Sequence, residues 1–256
     1  MLNLLRSDFY KLFRLKSFYI CGIIATILGA FDVWFLNHNV NSELGIDASV
    51  LGYNGIYASV MCLGEVVLLL SIFVAMFIPS EFSYGTIKNI ASRGISRFNI
   101  YVSKLIVCAF VTVVYSLTVG IVGFTTGSIM WGVGDFSGEI AFNMFKSIGL
   151  FLLAVFAMEC INIMVGFLLR HTGGTVATVL AISTLVPTLI LIAEFFLKSK
   201  FDKEIELSKY WVGQYYGMAK LDVANDVLQT GIIVSLVYIF VSSAIGIYSF
   251  YKRDVK

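Results

Sequence analysis

Glu159 and Asn162 stand three residues apart inside an otherwise apolar run, "FLLAVFAMECINIMVGFLL" from Phe151 to Leu169. Helical spacing puts both on one face, where the amide can hydrogen-bond the carboxyl. Glu65 is a second acid in a similar setting, "CLGEVVLLLSIFVAMFI" from Cys62 to Ile78. At 1.5 Å per residue, Glu65 lies ~12 Å and Glu159 ~15 Å from the nearest end of its run. An ionisable group at such depth is costly in lipid and marks a functional candidate by default. Two roles fit these three residues. They line a passage or contact a cationic substrate, or they make a hydrogen bond that only ties helices together. The second is the simpler reading for Glu159 and Asn162.

Catalysis would need more. His38 and His171 are the only histidines, and no GxxxxGK[ST], GxSxG or HExxH string is present. Cys21, Cys62, Cys108 and Cys160 each sit in an apolar run without CxxC spacing. They read as small buried hydrophobes rather than disulfides or metal ligands. The expectation is a non-enzyme with no metal and no directly bound cofactor. Any uphill work must draw on an ion gradient or on a separate subunit.

The elements that would hold these residues follow from composition. Apolar residues make up 59% of the 256 and charged residues 13%, against about 25% charged in soluble domains. A bilayer is the solvent that suits such a chain. Six runs are long enough to span, at about 17–36, 57–79, 99–124, 144–169, 175–197 and 230–250. They are continuous rather than alternating, which predicts helices and excludes barrel strands. The first reads as a retained span, since no small-residue cleavage site follows it. Pro187 should kink the fifth. Asp32 and Glu194 fall near span ends, where water reaches them.

Before the first span, "MLNLLRSDFYKLFRLK" gathers Asn3, Arg6, Ser7, Tyr10, Lys11 and Arg14 on one helical face. Leu2, Leu4, Leu5, Phe9, Leu12, Phe13 and Leu15 share the other, with Asp8 as a blemish. This predicts an amphipathic helix lying in the membrane interface. The fold class expected is therefore an all-α membrane protein, one domain over 1–256, with an interfacial helix and six spans. Of the 18 basic residues, 12 fall before span one, between or at the edges of spans two and three, between four and five, or after six. That places both termini in the cytoplasm. Arg93, Arg97 and Lys104 suit the headgroup level there. Segment 198–229 is then an outer loop. Its aromatic "KYWVGQYYGM" predicts short helices dipping back toward the membrane.

One segment keeps a pattern that a basic flank does not explain. "PSEFSYGTIKNIASRGISR" carries Glu81, then Gly85-Thr86, then Arg93 and Ser96-Arg97, with Lys104 in the next span. Together with Asp8, Lys11, Arg14 and Lys16 ahead of span one, it resembles the ABC-2 family of transporter permeases. Asp8 stands where that family more often has Glu. The resemblance extends to the six spans, the long last outer loop and the chain length. It implies that 80–98 forms a coupling segment docking on a separate P-loop ATPase, with Glu81, Gly85, Thr86, Arg93, Ser96 and Arg97 as its residues. The interfacial helix, with Asp8, Lys11 and Arg14, borders that contact. It further implies two ATPase chains binding the ATP, a second permease chain, and residence in a bacterial cytoplasmic membrane. Compact chains of this shape resemble exporters of antimicrobial or amphipathic peptides. No nucleic acid is implied. An ion-coupled secondary transporter is the main rival, with a non-transporting sensor or assembly partner as the third reading. The first rival expects broken helices at matched positions, and only Pro187 hints at one.

Overall fold

The computed structural model describes residues 1–44, 53–134, 137–201, 206–216 and 224–252, which form helices and turns with no strand among them. Among the described residues, six stretches are long and apolar enough to cross a membrane: Lys16–Val40, Gly55–Ser83, Arg97–Trp131, Gly138–Leu169, Thr172–Lys200 and Asn225–Lys252. The chain is an all-α membrane protein. Each span outruns the apolar stretch that announced it, because a helix satisfies its own backbone and need not stop where polarity begins. Hydroxyl caps set two of the starts. Ser96 accepts from the Asn99 N–H, and Ser137 from the Ile140 N–H.

Helix α1 spans Leu2–Arg14, and an extended Leu15 turns it into α2, Lys16–Leu44. Span two consists of α3, Gly55–Met61, and α4, Gly64–Ser83. The expected single helix tightens between them. Leu63, Glu65 and Val66 donate to carbonyls three residues back rather than four, a 3₁₀ turn inside a span. Then come α5, Thr86–Ser92, and α6, Arg97–Trp131. Helices α7, Gly138–Leu169, and α8, Thr172–Phe201, follow, and α8 continues as one helix through Pro187. A 3₁₀ turn at Leu207–Tyr210 and α9, Gly213–Tyr216, precede α10, Asn225–Lys252.

The helices α4 and α7 are the buried centre. Helix α4 packs on α2, α7 and α8, while α7 packs on α4 and α10 and α6 embraces α3. Small residues permit that last embrace. A Cβ on Gly127 would lie 2.4 Å from the Ala58 Cβ, and one on Gly123 would lie 2.9 Å from the Ala58 carbonyl oxygen. The pair makes a small-xxx-small seam. Gly127→Val is therefore expected to destabilise the bundle by about 1–3 kcal/mol, read as a lower Tm in detergent. An unchanged Tm would deny the seam.

After α8, residues 206–216 bury Trp211, Val212 and Tyr215 in a cluster with α7 and Val234 of α10. Glu194 does not simply meet water; its Oε1 accepts from the Ser208 N–H at 2.7 Å. At the opposite end, aromatic rings join four helices. Phe82 of α4, Phe167 of α7, Phe250 of α10 and Tyr101 of α6 stack edge-on or tilted at 4.9–6.3 Å. Arg170 lies over Phe82 and Arg97 over Phe250. Helices α1 and α5 meet the bundle at this end, which is its charged end.

Candidate functional site

Four charged side chains converge under α1. Lys104 of α6 places its Nζ 2.8 Å from Asp8 Oδ1 and 2.7 Å from Glu81 Oε1. Lys11 stands 3.5 Å from Asp8 and 3.4 Å from Glu81. Ser103 donates to Asp8 Oδ2 at 2.6 Å. The Lys104 ammonium also sits 5.0 Å above the Phe77 ring. The side chains of Lys104 and Asp8 are 1% and 0% exposed, so their charges are removed from water and must satisfy one another.

This arrangement corrects three expectations. Asp8 is no blemish on the apolar face; with Leu4 and Leu12 it forms the buried row of α1. A carboxylate can occupy that row because an ammonium meets it there. Glu81 does not lie beyond span two, as expected of segment 80–98, but in the last turn of α4, buried in the bundle. Lys104 does not reach the headgroups but turns inward. The node thus binds α1 to the ends of α4 and α6, which the chain order keeps far apart.

The other residues of segment 80–98 divide between turn and surface. Gly85 has φ +65° and caps the start of α5, in open space where a Cβ would touch nothing within 4 Å. The positive φ, not crowding, calls for glycine here. Thr86 begins α5 and is partly buried, while Ile87 is fully buried and anchors the short helix. Lys88, Asn89, Ser92 and Arg93 are exposed. Ser96 is the cap of α6 described above. Arg97 turns back to donate to the Phe250 and Tyr251 carbonyls, at 2.7 and 2.9 Å. It satisfies the last carbonyls of α10.

Deeper in the bundle, Ser71 of α4 donates to Glu159 Oε1 at 3.2 Å and accepts from Asn162 Nδ2 at 2.9 Å. All three are buried. Glu159 and Asn162 do share a face of α7, and their shared partner is a serine on α4. We expect Glu159→Gln to retain stability within ~1 kcal/mol, and Glu159→Leu to lose about 1–3 kcal/mol by stranding Ser71 and Asn162. Thermal unfolding of the two variants checks this; equal Tm values would contradict it. Glu65 lies apart from this group. It is half-buried beside the 3₁₀ turn, with the like-charged Asp32 of α2 as its neighbour. Asp32 is partly exposed and lies inside α2, which runs on past it to Leu44.

Sequence reasoning missed Ser71 and Ser103, whose hydroxyls carry no pattern, and misplaced Lys104. A lysine seven residues inside α6 was the one available sign that a buried anion awaited it.

A sequence profile for a group described as "ABC-2 family transporter protein" matches residues 4–187. No curated protein matches the chain.

Proposed function

The chain belongs to the ABC-2 family of transporter proteins, and on that premise we propose that it is the membrane-spanning subunit of an exporter driven by separate P-loop ATPase chains. The observation that carries this reading is the buried node of Asp8, Lys11, Glu81 and Lys104. Lys11 and Glu81 of the node share a cavity wall with Thr86 at the start of α5, the short helix on which Lys88, Asn89 and Arg93 are exposed. Gly85, Thr86, Arg93, Ser96 and Arg97 shape or flank that helix. In this proposal the ATPase docks on α5, between Glu81 and Arg97. Closure of two ATPase chains around ATP pushes α5, and α5 passes the displacement to α4 in the same polypeptide. The node makes α1, α4 and α6 move together, because separating them would expose uncompensated buried charges. Coupling then requires a two-state element that this push biases. The contact of spans one, two and five, α2, α4 and α8, with a second permease chain is that element, and α8 is the least covered of the spans among the described residues.

The charged end faces the cytoplasm of a bacterial cell in this reading, with both termini there. The cargo is a hydrophobic or amphipathic substrate, specifically a peptide of the antimicrobial type. Glu65, Glu159 and Asn162 tie spans together rather than bind it. The test is co-purification followed by reconstitution. The chain alone should neither bind nor hydrolyse ATP. An ATPase subunit should co-purify, and export of an amphipathic peptide into vesicles should require ATP and survive a protonophore. Protonophore collapse of export, together with its loss in Glu65→Gln, would favour an ion-coupled carrier. The Asp32–Glu65 pair beside the 3₁₀ turn is the feature that keeps this second reading in view.

A further inference from the structure

Between α1 and the end of α4 lies a cavity of about 270 Å³. Lys11 and Arg14 supply cations to its wall, Tyr84 and Thr86 supply hydroxyls, and Leu15 and Phe77 supply apolar surface. Glu81 also borders it, but Lys104 and Lys11 neutralise that carboxylate. Across the node, two lysines offset two acids. Arg14 is left over. It stacks on Tyr10 at 4.5 Å and meets no carboxylate among the described residues. The cavity therefore has surplus positive charge.

A second feature leads away from it. Ser80 lines the cavity, and Met76, Ile72 and Leu68 follow at four-residue intervals along the same face of α4. Most of α4 is buried, yet Met76 is 39% exposed and Leu68 50%. An apolar stripe thus runs from a cationic cavity toward the middle of the bilayer. A soluble anion would use the cavity and ignore the stripe. A molecule with a phosphate and a hydrocarbon chain would use both.

We propose that this cavity seats the headgroup phosphate of an anionic phospholipid from the adjoining leaflet, with Arg14 as its uncompensated cation, Lys11 as a hydrogen-bond donor beside it, and one acyl chain along Met76, Ile72 and Leu68. The proposal rests on the membrane-spanning fold and not on the transport reading.

The full chain is purified into nanodiscs of phosphatidylcholine containing phosphatidylglycerol with the same acyl chains. Lipid retained on the chain is then counted by native mass spectrometry. One phosphatidylglycerol per chain should be held over phosphatidylcholine by about fivefold or more, at roughly 1 kcal/mol for the one uncompensated cation. Arg14→Glu, at an exposed position, should abolish the preference at unchanged Tm, and Ser80→Phe should fill the cavity and release the lipid. If Ser80→Phe misfolds, the Arg14→Glu arm decides. Equal retention of the two lipids, or retention unaffected by Arg14→Glu, overturns the proposal. So does full displacement by soluble glycerol phosphate, which would mark a plain anion site. One-for-one ejection by an added ATPase subunit also overturns it, since the cavity would then be a protein socket.

Discussion

Replacing Lys104 with methionine is expected to destabilise the protein by about 3–5 kcal/mol, lowering its Tm sharply and depleting it from membranes. The ammonium is the shared partner of Asp8 and Glu81, at 2.8 and 2.7 Å, and its side chain is 1% exposed. Removing it leaves two buried carboxylates facing one another, with only the more distant Lys11 to offset them. The loss is electrostatic rather than steric, because methionine nearly matches the volume of the lysine stem and keeps contact with Phe77. That distinction is testable within the same experiment. The triple variant Asp8→Asn, Glu81→Gln, Lys104→Met removes the three buried charges, leaves only the partly exposed Lys11, which water can reach, and should regain most of the lost stability, since a buried ion network can often be replaced by neutral groups of similar shape. A triple variant no more stable than Lys104→Met alone would mean the node is not a closed charge set. If the triple variant folds but transports poorly, the charges serve motion rather than stability.

The second large effect concerns function without stability. Exchanging Lys88 and Arg93 for glutamate should leave Tm unchanged to within about 0.5 kcal/mol, as expected of exposed positions. Association with the ATPase subunit should nevertheless fall by at least about tenfold, an interface cost of ~1.4 kcal/mol or more, and ATP-driven export should fail. Two controls separate surface from framework. Ile87→Asp buries a charge under α5 and should damage both stability and association. At Gly85, φ +65° is strained for valine but tolerated by asparagine. Gly85→Val should therefore misdirect α5 and weaken association, while Gly85→Asn retains it. Full ATPase association in the Lys88→Glu, Arg93→Glu variant would remove α5 from the docking surface and overturn the coupling proposal.

The two effects differ in how far the residues alone could have announced them. The positions of α5 are local. Gly85, Thr86 and the Ser96 cap lie within a few residues of the elements they shape, so their roles are set by short-range geometry once the helix bounds are known. The node is not local. Asp8 and Ser103 bond across 95 residues of chain, and nothing near Asp8 says which cation it will meet. On a helical wheel it can only look misplaced. The same is true of Ser71, which joins Glu159 across 88 residues. Arg97 shows the converse error. Its place beside Ser96 suggested an outward contact, whereas the end of α10, folded against it, offers carbonyls that the guanidinium satisfies.

The amino-acid sequence by itself determined the solvent, the helical class, the six spans and the amphipathic first helix, because each depends on the polarity of residues that are neighbours in the chain. Only the tertiary structure decided which buried charges neutralise one another, that span two tightens beside Glu65, and that an aromatic cluster joins four helices at the charged end. Hydrophobicity carries a helix into the bilayer without choosing its rotation or its neighbours. Those are settled by close packing and by the cost of leaving a charge or hydroxyl unpaired, and both depend on groups brought together only when the bundle has formed.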